Sequence, residues 1–358
     1  MSQLHQILVG DCIDMMRTLP DESVHTCVTS PPYYGLRDYG VEGQMGLEAT
    51  PDEFVGALVS VMREVKRVLR DDGTLWLNIG DSYNARPGQR KQTDKAGSKQ
   101  QSVRGSTAAP SRCVDSIKPK DLIGIPWRVA FALQADGWYL RQDIIWNKPN
   151  PMPESVRDRC TKSHEYIFLL SKSRQYYYDQ DAVKEPVAAS SIARLAQDIE
   201  QQHGSDRVPG KSNGSMKAVR ARRDSFKRGD SKREQAIPGQ SVGTHRPDRE
   251  ESAYPLDMRN KRSVWSVPTV GFKGAHFATF PPDLIRPCIL AGAPRGGVVL
   301  DPFGGAGTTS LVSMQEGRRS IICELNPEYA ALARARIDAA WLDGAAQMDV
   351  FRDSVPAA

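Results

Sequence analysis

Neither a membrane anchor nor a disulfide framework finds support in this 358-residue chain. No run of about 18 apolar residues occurs, so no membrane-spanning helix is expected. The N-terminus, MSQLHQILVGD, has no basic stretch leading into an apolar one, and a cytoplasmic protein without a secretion leader is expected. The six cysteines, Cys12, Cys27, Cys113, Cys160, Cys288 and Cys323, form no Cys-x-x-Cys pair and follow no regular spacing. Free thiols are the expectation, with no metal site. An excess of one charge is also missing, since the net charge is only +5.

The charge is unevenly spread, however. Residues 85–120 hold nine Lys or Arg against two Asp or Glu, and residues 203–233 hold ten against three. Each segment is therefore +7 and the remainder of the chain −9, the footprint of a polyanion-binding protein. Both segments also read as solvated loops, and loops that order only on nucleic acid have this composition before binding.

Strands and helices alternate elsewhere. Gln6 to Val9, the stretch ending at Ser30, Thr74 to Ile79, Trp138 to Trp146, His164 to Leu170, Val298 to Leu300 and Ser320 to Cys323 read as seven strands. Asp11 is placed to cap a helix reaching about Leu19. Pro51 to Arg70 carries a helical apolar stripe ended by Gly73. Further helices are expected over Asp121–Asp136, Ser190–Gln202, Pro281–Ala291, the stretch ending near Glu316, and Pro327–Leu342. Residues 84–118 read as a mobile insertion, and 203–252 as loop or disorder. There is no internal repeat. The pattern is that of an α/β protein with a mostly parallel, seven-stranded sheet.

Two motifs carry chemistry. The first is Thr29-Ser30-Pro31-Pro32-Tyr33, directly after a short apolar strand. Two prolines cannot donate backbone hydrogen bonds and have fixed φ, so their carbonyls can aim rigidly at one spot. Ser30 adds a side-chain acceptor, and Tyr33 or Tyr34 offers a flat face for stacking. Such a set suits a planar amine; the plain alternative is a Pro-Pro turn after a strand.

The second motif lies about 270 positions later. Val298 to Thr309, VVLDPFGGAGTT, reads as strand, Gly-rich turn and helix start, and Glu324 ends the next strand 23 positions after Asp301. Glycines admit a ligand to the backbone, and an acid at that distance accepts ribose hydroxyls. A nucleoside triphosphate calls for Gly-Lys-Ser/Thr, yet the turn has Ala306-Gly307-Thr308. A dinucleotide calls for a third glycine where Ser310 stands. S-adenosylmethionine has a ribose but no phosphates, and Asp301 suits its ammonium group.

With both motifs present, the chain resembles the amino-group DNA methyltransferases, whose fingerprint pairs [Ser/Asp/Asn]-Pro-Pro-[Tyr/Phe] with a DPFxGxGTT turn. Because the tetrapeptide comes first, it is similar to their permuted "beta" group, in which a target-recognition region lies between the halves. The segments Gly10-Asp11, Trp146-Asn147-Lys148, His164-Glu165 and His276 to Pro281 match as well. The resemblance covers roughly 5–80, 120–180 and 260–340. It implies a Rossmann-like methyltransferase fold of permuted motif order. Residues 1–184 would be the catalytic half, with the basic insertion 85–120, and 185–262 a flexible target-recognition region. Residues 263–342 would be the cofactor half and 343–358 a tail.

The resemblance also implies roles. Ser30 and the Pro31 carbonyl would accept hydrogen bonds from the target amine, with Pro32 beside them and Tyr33 stacked on the base. Asp301, Gly305, Gly307 and Thr308 would line the methionine portion of S-adenosylmethionine, with Phe303 also at the cofactor, Glu324 on the ribose and Asp11 and Phe280 near the adenine or tail. Arg220, Arg222, Arg223, Lys227 and Arg228 of the second basic segment would contact DNA. Double-stranded DNA is the implied partner, with a cognate restriction nuclease and a second copy of the chain as further ones. Ser in the tetrapeptide favours the N4 amine of cytosine, with adenine N6 as the alternative. A non-catalytic DNA-binding protein and an RNA or protein methyltransferase are the readings from other classes. A covalent cysteine route is disfavoured, because Cys288 precedes Ile-Leu-Ala in an apolar helix rather than a Gly-rich loop.

Overall fold

Period-two burial along the strands organises the computed structural model, which describes residues 4–84, 107–108, 114–188, 258–269 and 280–353. In β3 (Leu69–Ile79), Leu75, Leu77 and Ile79 enter one apolar layer and Trp76 the other. In β5 (His164–Ser171), Phe168 and Leu170 divide from Ile167 and Leu169 in the same way. A sheet buried on both faces needs this alternation. The first layer is roofed by α1 (Cys12–Arg17), α2 (Pro51–Val68) and α3 (Ile125–Ala135). The second is roofed by α4 (Pro282–Gly292) together with Val312 of α5 (Thr308–Gln315).

The other strands are β1 (His5–Val9), β2 (Val24–Thr29), β4 (Tyr139–Asn147), β6 (Val264–Ser266), β7 (Val298–Asp301) and β8 (Arg319–Glu324). Their spatial order is β1-β8-β7-β2-β3-β5-β4-β6. All neighbours are parallel except the two pairs that include β5. The chain leaves β7 through α5 towards β8 on one side, and leaves β2 through α2 towards β3 on the other. The winding therefore reverses between β2 and β7, and a crevice opens beyond the carboxyl ends of such strands.

Local chemistry explains the elements that flank this crevice. Thr50 and Glu53 form a reciprocal cap on α2, with Thr50 Oγ1 accepting from Glu53 N at 3.2 Å and Glu53 Oε2 from Thr50 N at 3.1 Å. Pro51 occupies the first turn, and Phe54, Leu58, Val61, Met62, Val65 and Val68 form a buried stripe.

Several expectations change. Among the described residues the sheet has eight strands and not seven, because Val264–Ser266 adds an edge strand. Three residues with only Trp265 buried are too short for a legible period. Helix α2 gives way to β3 at Leu69, and Gly73 lies inside that strand. A Cβ on Gly73 would come 2.9 Å from the Arg70 carbonyl oxygen, so the glycine permits a tight irregularity where the β2–β3 register shifts. Helix α3 starts at Ile125 rather than Asp121, since Gly124 has φ +79°. Asp81 Oδ1 accepts from Gly124 N at 3.0 Å and Ile125 N at 3.1 Å, supplying the missing cap from another segment.

Residues 114–118, expected to be part of the mobile insertion, are held in place. Asn84 Nδ2 donates to the carbonyls of Val114 (3.0 Å) and Ile117 (2.6 Å), and its Oδ1 accepts from Val114 N at 2.9 Å. Within the same insertion, Thr107–Ala108 pairs with Arg37–Asp38. The last helix, α6 (Pro327–Asp353), runs beyond Leu342 into the segment read as a tail.

The chain divides into two compact units, one of residues 1–183 with 262–358 and one of residues 184–261. In the second unit, Glu185–Pro186 pairs antiparallel with Met258–Arg259, and Arg259 Nε reaches Glu185 Oε1 at 3.0 Å. The helix expected over Ser190–Gln202 and the arginines and lysines of 220–228 lie outside the described residues.

Candidate active site

One hydrogen bond joins the two sequence motifs. β2 and β7 are parallel neighbours, with Val299 opposite Thr26 and Leu300 opposite Cys27. At their ends Thr29 Oγ1 donates to Asp301 Oδ1 at 2.6 Å, across 272 positions of sequence. Thr309 Oγ1 donates to Asp301 Oδ2 at 2.6 Å, and Phe303 N donates to Oδ1 at 3.0 Å. Asp301 is 1% exposed. Burial pushes its carboxyl above the usual carboxylate range, and the three donors oppose that shift. Three donors from the protein hold its two oxygens, so Asp301 ties the two motifs together at a point where it also lines the cavity.

A cavity of about 740 Å³ opens over this junction. Ser30, Pro31, Pro32 and Tyr33 line it on one side, and Asp301, Phe303, Gly304, Gly305, Ala306, Thr308 and Glu324 line it too, with Asp11 and Phe280 also on the lining. Tyr34 is not part of it. Its ring is buried at 5.6 Å from that of Phe54, and its hydroxyl donates to the Ala49 carbonyl at 3.3 Å. Only Tyr33 offers an aromatic face from this pair.

The turn after β7 is built for close approach. Gly304 N donates to the Cys323 carbonyl at 2.8 Å, and a Cβ on Gly304 would lie 2.8 Å from Ile322 Cβ. Gly305 N donates to Glu324 Oε2 at 2.7 Å and Asn326 N to Oε1 at 2.8 Å. Each carboxylate oxygen keeps acceptor capacity for a hydroxyl. Burial pushes the Glu324 carboxyl upward, with the backbone donors pulling the other way. Arg336 of α6 donates to the Ala306 carbonyl at 3.1 Å and to Thr308 Oγ1 at 2.9 Å, bracing the turn from behind.

Gly307 differs from expectation. It is absent from the cavity wall, takes φ +74° at the start of α5, and a Cβ there would come 2.9 Å from Ala333 Cβ. Its freedom serves the packing of α6. Ser310, at the third-glycine position of a dinucleotide turn, is buried and accepts from Ser320 Oγ at 2.8 Å. Asp11 caps α1 through Oδ1, accepting from Ile13 N at 2.9 Å and Asp14 N at 3.2 Å. Cys288 is buried in α4, its Sγ 3.8 Å from the Leu284 carbonyl.

Several residues on the wall received no role from the sequence. Tyr33 Oη donates to Glu165 Oε2 at 2.6 Å, and Glu165 Oε1 pairs with Lys148 Nζ. Lys162 donates to the Asp81 carbonyl at 3.0 Å. The segments Trp146-Asn147-Lys148 and His164-Glu165 were visible in the sequence. Their apposition was not, because it depends on the antiparallel register that sets Trp146 opposite Glu165.

The donor set of the turn fits a ligand with ribose hydroxyls and no phosphate. A carboxylate faces the hydroxyls, and residues 302–308 hold no lysine or arginine for a phosphate. Comparison with known proteins agrees. A family model described as DNA methylase matches residues 24–335. The chain is 44% identical over 329 residues to the Type II methyltransferase M.Cfr9I of Citrobacter freundii, covering 92% of this chain and 86% of that one. It is 43% identical over 333 residues to M.SmaI of Serratia marcescens, covering 93% and 90%. Among solved structures, the PvuII DNA methyltransferase (cytosine-N4-specific) superposes with a TM-score of 0.54 at 17% identity, over 92% of this chain and 84% of that one. TTHA0409 of Thermus thermophilus, solved in complex with S-adenosyl-L-methionine, gives 0.52 at 21% identity over 94% and 95%. These two similarities concern the fold.

Proposed function

The chain belongs to the DNA methylase family, and from that premise we propose that it transfers a methyl group from S-adenosylmethionine to the N4 amine of cytosine in duplex DNA. The observation that carries the reading is the Thr29–Asp301 hydrogen bond, which brings Ser30-Pro31-Pro32-Tyr33 and the glycine turn to one cavity. The tetrapeptide precedes the cofactor turn in sequence, and we assign the chain to the permuted group on that order. Its relatives are Type II methyltransferases, so the proposed context is the modification half of a restriction system.

S-adenosylmethionine, when bound, supplies an electrophilic methyl on a positively charged sulfur. Glu324 would hold its ribose hydroxyls, Gly304 and Gly305 would admit it to the backbone, and Phe303, Thr308, Asp11 and Phe280 would enclose it. Ser30 Oγ and the Pro31 carbonyl would accept the two amine hydrogens of the base. An exocyclic amine is a poor nucleophile because its lone pair is delocalised into the ring. Two fixed acceptors favour a pyramidal nitrogen and stabilise positive charge as it develops, a preorganised field of opposite sign to an oxyanion hole. The remaining task is positioning. The base must leave the duplex to reach these groups, at a cost of roughly a few kcal/mol. Stacking on Tyr33, worth roughly 1–3 kcal/mol, offsets much of that cost.

Cytosine is chosen over adenine because Ser, rather than Asp or Asn, heads the tetrapeptide. Loss of one aimed hydrogen-bonding group from such a site costs about 100- to 1,000-fold in turnover. The Ser30→Ala protein should lose that much methyl transfer to DNA from an unmethylated host, while calorimetry finds its affinity for S-adenosylmethionine within about twofold of the parent. Equal turnover in Ser30→Ala and the parent would refute the assigned role.

A further inference from the structure

We infer that Glu165, held by Lys148, is a positioning residue that fixes the ring of Tyr33 for the extruded base; this rests on the methyl-transfer reading above. The ring is constrained at two places. A Cβ on Gly80 would come 2.5 Å from Tyr33 Cε2, 3.0 Å from Cδ2 and 3.2 Å from Cζ, so the ring edge sits directly on bare backbone. At its tip, Oη donates to Glu165 Oε2 at 2.6 Å, with Asn78 Oδ1 a second, longer acceptor at 3.4 Å. A ring pinned along one edge and at its hydroxyl has a single orientation in the cavity wall. Burial and the neighbouring carboxylate both keep that hydroxyl protonated, and hence a donor.

Glu165 is itself oriented. Its Oε1 pairs with Lys148 Nζ, and that ammonium lies 4.2 Å from the centroid of the Trp146 ring. The Glu165 and Lys148 side chains are 15% and 18% exposed. Asn78, in turn, donates through Nδ2 to the Tyr166 carbonyl at 3.1 Å. A largely buried ion pair adds little net stability once desolvation is counted. The β4–β5 ladder runs from Tyr139 to Asn147 without it, with one irregularity between Leu140 and Gln142. What the pair does provide is a carboxylate with one oxygen committed to Lys148 and the other aimed at Tyr33. A base stacked on a ring free to swing would present its amine to Ser30 over a range of angles, and misplacement of about 1 Å costs turnover steeply.

The test is a double-mutant cycle in the full chain, using tritiated S-adenosylmethionine and DNA from an unmethylated host. Glu165→Gln keeps the shape but removes the ion pair, and Tyr33→Phe keeps the ring but removes its anchor. Each should lower kcat about 10- to 100-fold, the range expected for a hydrogen bond to a charged group. KM for S-adenosylmethionine should stay within about twofold, and the double variant should be no slower than the slower single variant. Parental kcat in Glu165→Gln, or losses that multiply in the double variant, would overturn the inference. So would a loss of cofactor affinity or melting temperature matching the loss of kcat, since Glu165 would then be a structural staple. A parent protein that labels no DNA would instead refute the methyl-transfer reading, which separates the two failures.

Discussion

At the scale of single residues, Asp301 and Glu324 are two acids on one cavity with different partners. Both line the cavity, Asp301 holding three donors from Thr29, Thr309 and Phe303 N and Glu324 holding two backbone donors. Removing the Thr29 hydroxyl by Thr29→Val leaves the buried Asp301 carboxylate one donor short. Unfolding in urea should report a loss of about 1–3 kcal/mol. For Glu324 the pH dependence concerns binding. The ionised form accepts ribose hydroxyls at both oxygens, and protonation turns one of them into a donor, so affinity for S-adenosylmethionine should fall as pH falls. Because burial raises the Glu324 pKa, the fall should begin above the ordinary glutamate value of about 4.3. Calorimetry from pH 8 to 5 should find this slope in the parent and a flat, weaker affinity in Glu324→Gln. The placement of Glu324 was legible from strand length alone, since 23 residues carry the chain through one helix to the end of the next strand. The bond from Thr29 to Asp301 was not, because spacing gives a residue's position and not the partners of its side chain. Tyr33 and Tyr34 make the same point. Adjacent in sequence, one lines the cavity and the other packs on Phe54.

At the scale of elements, the strands that carry the site are those with the cleanest pattern. β2, β3, β5 and β7 each end in four or more consecutive buried residues, and α2 has both a stripe and a reciprocal cap. What the sequence left unread depends on tertiary hydrogen bonds. Asp81 caps α3 from a distant loop, Asn84 fastens residues 114–118, and the edge strand Val264–Ser266 exists through its pairing with Ile145–Asn147. Gly80, just past β3, acts on the site through what it lacks. Gly80→Ala should push the Tyr33 ring off its seat and lower kcat at least about tenfold. Affinity for S-adenosylmethionine, held on the far wall, should change less than about twofold. A parental kcat in Gly80→Ala would mean that the ring needs no such seat.

At the scale of the whole chain, the order of the two motifs and the uneven charge were readable because neither depends on side-chain geometry. The winding reversal between β2 and β7 brings the first and last parts of the chain to one crevice. The basic segment 203–233, with Arg220, Arg222, Arg223, Lys227 and Arg228, lies outside the described residues, and its role in holding DNA is a proposal from charge. Deleting it should weaken DNA binding and flatten the dependence of log Kd on log salt, while S-adenosylmethionine binding is retained. Unaltered DNA affinity would leave the segment as a linker.

The most direct measurement is mass spectrometry of nucleosides from the DNA of an unmethylated host expressing the full chain, beside the same host expressing Ser30→Ala. N4-methylcytosine should appear with the parent and vanish with the variant. N6-methyladenine as the sole modified nucleoside would contradict the assignment of Ser30-Pro31-Pro32-Tyr33 to the cytosine amine.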